Sequence, residues 1–402
     1  LSGVRGDGST GELVLGTIKG ANLDVTSESD ISLGRDNNEE DETVNSNINV
    51  GSGKVSLTTN SGSITQTASS SFTADSVNAS ATENILLGSE ANKVNKFVVN
   101  GVGEGNKLNG NVTLVSSANN TENTVNVDFA KGEQGLTVNG TVTVNTLGDD
   151  TKLSITGGSL TTTGENADSV TFTSAGSITA NTTINSAADI VMNAQGAITN
   201  TGSLTAGNKV NVNTDAGDIE LGGDVTAQKD VIVHSDKGAI EISGTVTATD
   251  NDVNITSGSG AITTTGAITG GTNVNVTTED GAINIGGEDG KGNVTANNGN
   301  VNITSGSGAI TTTGAITGGT DVTVNAGTKG TIDLGGSVDA KGGNVLVTTD
   351  DGYINTTGNI TANKVVDVNT DKGSIKLDGT VTATTSDVNI TSGEGTITTT
   401  GA

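Results

Sequence analysis

The sequence predicts an all-β chain: a single-stranded parallel β-helix solenoid with three short strands in each coil of about 20–23 residues. Three observations point there, namely a composition that cannot fill an ordinary core, an internal repeat, and an apolar alternation broken by one recurring turn. Of 402 residues, 60 are Gly, none is Pro, Cys or Trp, one is Met, and aromatic residues make up 1%. Globular cores rely on aromatic and long aliphatic side chains to offset the entropy of ordering the chain. Here the hydrophobic fraction is still 31%, carried by Val, Ile, Leu and Ala spread evenly along the chain, which argues against disorder. The composition suits many narrow cores.

The repeat is the most specific signal. The twenty residues VNITSGSGAITTTGAITGGT at 253–272 recur unchanged at 301–320, and VNITSGEGTITTTGA begins at Val388. Inside this long repeat, an x-apolar-x-apolar pattern restarts at Val170, Ile190, Val210, Val231, Val253, Val274, Val301, Val322, Val345, Val366 and Val388. Most intervals are about one solenoid coil. The longer step from Val274 to Val301 accommodates a polar insertion around Glu288 to Gly292.

Each coil reads as three strands. From Lys209 these are VNV at 210–212, IEL at 219–221 and DVTA around Val225. Period-2 alternation and β-branched residues mark strands with one buried face. The corners are TDAG at 214–217, SDKG at 235–238, TEDG at 278–281, TDDG at 349–352 and TDKG at 370–373. There Asp or Ser is expected to bond the turn backbone, and Gly to accept a positive φ. Stacked coils pair every strand with its neighbours, so the absence of Pro fits, because a missing N–H would break a ladder. Parallel crossovers make right-handed winding the default. The length corresponds to roughly 19 coils, about 90 Å of rod.

Residues 1–169 read as irregular coils with loop insertions, and 170–402 as regular repeats continuing the same rod. Short alternating strands are predicted at Glu12–Leu15, Asn22–Val25, Lys54–Leu57, Asn111–Leu114 and Val142–Val144, and the acidic run 35–42 is predicted to protrude. With no Pro-rich or Gly/Ser-only linker, one elongated domain is the expectation.

The formal charge of −27 has no basic patch, and nucleic-acid binding requires clustered Lys and Arg to displace counterions. No apolar run approaches the roughly 20 residues of a membrane-spanning helix. Absence of Cys excludes disulfides and thiolate metal sites.

The coils NVNVTTEDGAINIGG at 273–287, NVLVTTDDGYINTTGNITA at 344–362 and AITNTGSLTAGNKVNVNT at 197–214 resemble the repeats of filamentous-haemagglutinin-type adhesins. The resemblance extends over 170–402 and, more loosely, over 1–169. It implies a right-handed β-helical rod belonging to a large exoprotein exported by the two-partner route, with an outer-membrane secretion partner. The amino-terminal secretion domain of that family is not recognisable here. The functional expectation is a non-enzymatic bacterial adhesin, secreted or on the cell surface, attaching to a host or bacterial surface receptor or glycan. The alternative is a subunit of a surface filament that assembles with other copies of itself. A polysaccharide-active enzyme is the remote third reading, since parallel β-helices host lyases and hydrolases and paired carboxylates can cut glycosidic bonds.

Candidate chemistry is sparse. His234, the only histidine, falls at an outward strand position without a recognisable constellation. Tyr353 is the only tyrosine, and the four Phe residues, Phe72, Phe97, Phe129 and Phe172, are scattered among strands and expected to fill local widenings of the core, so sugar-stacking platforms are not evident. Arg5-Gly6-Asp7 is the integrin-recognition tripeptide, which members of the resembling family can carry, and it lies in a Gly-rich turn where ordinary turn chemistry also explains it. The Thr triplets at 161–163, 263–265, 311–313 and 398–400 suggest a flat threonine array, but equivalent positions carry Asn284, Asp333 or Lys376, so β-propensity explains them better. Asp215, Asp236, Asp280, Asp351 and Asp371 belong to equivalent corners, diluted by Ser-Gly-Ser-Gly at 257–260 and 305–308. Weakly bound Ca²⁺ is expected there through oxygen ligands, with no other cofactor. Finally, residues 396–402 stop partway through a coil that earlier copies continue, so a longer parent chain is expected.

Overall fold

The computed structural model describes residues 11–35, 44–130, 134–164, 169–287 and 292–401. These contain strands and turns and no helix. The chain divides into two compact units, Leu1–Ala206 and Gly207–Ala402. Each is a parallel β-solenoid with three strands per coil, as the alternation predicts.

In the second unit the coil that starts at Val210 comprises Val210–Thr214, Ile219–Leu221 and Val225–Ala227. Each strand pairs in parallel with its counterpart one coil on: Val210 opposite Val231, Ile219 opposite Ile240, and Val225 opposite Val246. Repeating this register builds three buried columns, which run through Val253, Val274 and Val301, through Ile262, Ile283 and Ile310, and through Ile268, Val294 and Ile316, all essentially inaccessible to solvent. Each Val or Ile so buried contributes about 1.5–3 kcal/mol. The interior is about one side chain wide, and aliphatic side chains suffice to fill it.

One core column carries hydroxyls. Leu221, Ile242, Thr264, Ile285, Thr312, Leu334, Thr356 and Leu377 stack coil upon coil. Thr264, Thr312 and Thr356 are buried there, and their Oγ1 atoms have no hydrogen-bond partner. An unpaired buried hydroxyl costs free energy that a methyl of the same shape does not.

The first unit uses the same columns but changes its cross-section. In its first coils the extra strand lies between the other two: Ile18–Lys19 and Asn47–Asn49 continue into the first part of Ser71–Ala81 and of Lys93–Gly101. From Lys107–Leu108 onward that strand is replaced by one on the far side of the coil, continued by Leu136–Val138, Ser159–Thr162 and Thr183–Ser186. Two fully buried Asn residues hold the changeover. Asn92 accepts the Phe72 amide at 3.0 Å and donates to Gln66 Oε1 at 2.9 Å and to the Val115 carbonyl at 3.0 Å. Asn106, at φ +50°, accepts the Gly101 amide at 2.8 Å and donates to the Gly135 carbonyl at 3.1 Å. Phe72, Phe97, Phe129 and Phe172 are all buried in this unit, with Phe129 and Phe172 stacked at 6.5 Å, so they fill its wider coils as expected.

Longer coils also reduce the coil count. Strands of the class of Val210–Thr214 number eight in the first unit and nine in the second among the described residues, fewer than an even division into short coils suggests. The acidic run 36–42 lies outside the described residues, but its flanks Arg35 and Val44 exchange backbone hydrogen bonds of 2.7 and 2.8 Å. Of the insertion around Glu288, only Gly292 is described.

The core hydroxyls give a direct test. Thr264→Val, Thr312→Val and Thr356→Val should each raise stability by about 1 kcal/mol, measured as the urea midpoint. A lower midpoint in all three would show that the hydroxyls are satisfied in solution.

Candidate functional site

In most coils of the second unit the corner after the first strand is built on a buried hydroxyl, and the coil that starts at Val322 has Ala326 there instead. Ser235 Oγ accepts the amide of Gly238 at 2.7 Å and donates to the carbonyl of Gly217, one coil earlier, at 2.9 Å. Ser257 repeats this with Gly260 and Gly238, both at 2.8 Å, and so does Thr278 with Gly281 and Gly260 at 3.1 and 2.9 Å. Thr370 continues it with Gly373 and Gly352. The hydroxyl closes its own turn and clamps the turn below.

The corner glycines serve a purpose other than the expected one. Gly238, Gly281, Gly352 and Gly373 are not in the positive-φ region. A Cβ on any of them would overlap the carbonyl oxygen of the glycine one coil earlier, Gly217, Gly260, Gly330 and Gly352 respectively. Close stacking of coils, rather than the turn itself, demands glycine here.

A second ladder engages carboxylates and amides. Asp252 Oδ1 accepts the amide of Asn273 at 2.8 Å, Asn273 that of Asn300 at 2.9 Å, Asn300 that of Asp321 at 3.0 Å, and Asp321 that of Asn344 at 2.7 Å. Asp218 and Asp224 do the same for Ala239 and Thr245. The Thr245 amide and then its hydroxyl hold the Asp224 carboxyl below its ordinary pKa. For Asp230 the largest influence is partial burial, which acts upward. It is outweighed by the Lys209 ammonium at 2.8 Å and the Asp252 amide, so this carboxyl too is held down.

The five acidic corner residues occupy two different places. Asp215 and Asp236 follow the paired residues Thr214 and Ser235 on adjacent coils, and Asp371 sits likewise beside Asp350 after the pair Thr349 and Thr370. Asp280 and Asp351 stand one residue further along their turns. All five are exposed. Asp351 pairs with Lys372 at 3.2 Å, and that pairing raises the lysine pKa. Asp236 meets His234 Nε2 at 2.8 Å, which gives the lone histidine one carboxylate neighbour. Among the described residues no group of three or more His, Cys, Asp or Glu could hold a metal ion. Arg5, Gly6 and Asp7 lie outside the described residues.

The register places Thr263 between Glu241 and Asn284, and Thr311 between Asn284 and Asp333, so that face carries mixed side chains. A longer threonine column forms away from the triplets. It runs through Thr226, Thr247, Thr269, Thr295 and Thr317 on the third strands and is broken at Asp339. Tyr353 stands apart from the buried phenylalanines. It is 50% exposed and lines an open groove with Asp333, Ile354, Asn355, Ser374 and Lys376. Its place precedes a buried strand, so the side chain points away from the core.

No family model, curated protein or solved structure matches the chain. The corner chemistry can be tested within the molecule. Ser257→Ala should destabilise by about 1–3 kcal/mol, because both the Gly260 amide and the Gly238 carbonyl lose their partner. Ser257→Thr, which reproduces the residue found at Thr278, should stay close to the parent. Equal urea midpoints for Ser257→Ala and the parent would show that the clamp contributes nothing.

Proposed function

We propose that this chain is a non-enzymatic portion of a bacterial adhesin, extracellular or on the cell surface, whose stacked coils present attachment surfaces to a host or bacterial receptor or glycan. Export through an outer-membrane secretion partner belongs to this reading. One observation carries it: carboxylates and amides that could do chemistry, such as Asp218, Asp224, Asp252 and Asp321, accept backbone amides of the next coil. Groups engaged in this way build a scaffold. The resemblance of the repeats to filamentous-haemagglutinin-type coils supports the same reading. Beads coated with the purified chain should be retained on epithelial cells or bacteria above albumin-coated beads, and a polysaccharide panel should show no turnover. Cleavage abolished by a single carboxylate substitution would replace the adhesin with an enzyme.

The acidic corners add a role for calcium. Neighbouring carboxylates such as Asp350 and Asp371, or Asp215 and Asp236, repel each other across stacked coils. A divalent cation shared loosely between them relieves that repulsion without a dedicated cage. Millimolar Ca²⁺ should therefore raise the melting temperature slightly over NaCl at matched ionic strength. Identical melting curves in the two salts would refute this.

A further inference from the structure

We infer that Tyr353 and the groove around it form a binding site for a neutral pyranose sugar. The inference rests on the attachment reading and deepens it by naming a ligand class.

The place of Tyr353 in its column is the starting point. The residue that precedes the second strand of each coil is Ala239, Ala261, Ala282, Ala309, Thr331, Tyr353, Ser374 and Thr396 in turn, and each carbonyl receives the amide of an isoleucine one coil earlier. Alanine therefore meets every structural requirement of this position. At Tyr353 a large aromatic stands instead, with the small Thr331 and Ser374 on either side, so its ring remains half exposed. It is the only tyrosine in a chain without Trp.

The surroundings supply what a sugar requires. The groove has a volume of about 350 Å³ and is lined by Asp333, Tyr353, Ile354, Asn355, Ser374 and Lys376. That volume lies in the usual range for small-ligand sites, about 300–1,000 Å³. Asp333 and Asn355 are cross-strand neighbours, and the Asn355 amide donates to Asp333 Oδ1 at 2.8 Å. Asn355 Oδ1 is buried without a partner beneath the groove, while the Asp333 carboxylate and the Ser374 hydroxyl also line it. Lys376 follows on the next coil and is held by Asp378, whose carboxyl it keeps below its ordinary pKa. An apolar ring face beside a row of acceptors and donors matches a pyranose, which offers a C–H face and a rim of hydroxyls. The charge of the ligand follows from the same residues. Asp333 lines the groove, Lys376 is already paired, and the whole chain carries −27, so an acidic sugar meets net repulsion.

Because Tyr353 is the sole fluorophore of its class, tyrosine emission of the full chain reports on this groove alone. Titration with methyl glycosides of glucose, galactose and mannose, and with N-acetylglucosamine, should give a saturable change for at least one sugar in the millimolar range. Saturation-transfer NMR then compares variants. Tyr353→Ala, which restores the residue found at Ala309, should fold normally and weaken binding at least about tenfold. Tyr353→Phe should retain binding, and Asn355→Ala should weaken it about threefold. No saturable response from any of the four sugars, a response unchanged in Tyr353→Ala, or tighter binding of N-acetylneuraminic acid than of the neutral sugars would each overturn the proposal. Sugar binding by a chain whose coated beads attach to nothing would sink the attachment reading alone. Attachment that survives Tyr353→Ala at full strength would sink this site alone.

Discussion

Every coil depends on how closely it can lie against the one before it. Parallel strands set that distance at about 4.8 Å, and the corners must match it although they contain no strand. The chain achieves this with a hydroxyl and a glycine three residues apart. Ser235, Ser257 and Thr278 tie their own turn and the turn below with one oxygen each, and the missing Cβ lets backbone approach backbone. The strands could pair without this clamp, but the corner carbonyls would then be buried without partners. Sequence, ladder and stacking therefore meet at one side chain in each coil that carries the clamp.

Much of the fold was legible because the relevant pattern is local. The alternation of Val210 and Val212, or of Ile219 and Leu221, identifies a strand and its buried face from a few residues, and the corner motif marks where strands end. What escaped reading lies between coils. Asn92 and Asn106 resemble any loop asparagine until the strands they bridge are placed, since their partners Phe72, Val115 and Gly135 are far away in sequence. The role of the corner glycines was misread for the same reason, because a single turn suggests a φ requirement whereas the actual obstacle is the carbonyl of another coil. Coil lengths in the first unit vary, which hid the relocation of its third strand.

The candidate site divides in the same way. The acidic corners are visible as motifs, and aligning their tetrapeptides already sets Asp280 and Asp351 one place away from Asp215, Asp236 and Asp371, whereas the pairing of Asp351 with Lys372 across coils emerges only from the structure. Tyr353 is conspicuous as the only tyrosine, and its surroundings differ from those of the four phenylalanines. Those follow the inward positions of wide coils. Tyr353 stands outside the alternation, immediately before Ile354, and there the solvent side is the only one open to a ring of its size.

The identical segments 253–272 and 301–320 are separated by the coil that starts at Val274, and the stack repeats with that doubled step. Buried threonines recur at Thr264, Thr312 and Thr356 with Ile285 and Leu334 between them, so no unpaired hydroxyl rests on another. Neutral corners at Gly258 and Gly306 enclose the acidic Glu279 and Asp280, while Gly270 and Gly318 alternate with Ala248, Ala296 and Ala340. In crystallographic terms this part of the second unit is a superlattice, with a true translation of two coils and a pseudo-translation of one. Insertion or loss of coil pairs leaves every neighbour relation intact. A change by a single coil creates a phase fault: loss of the coil at Val253 sets Asp236 against the acidic corner of Glu279 and Asp280, and loss of the coil at Val274 sets Thr264 against Thr312.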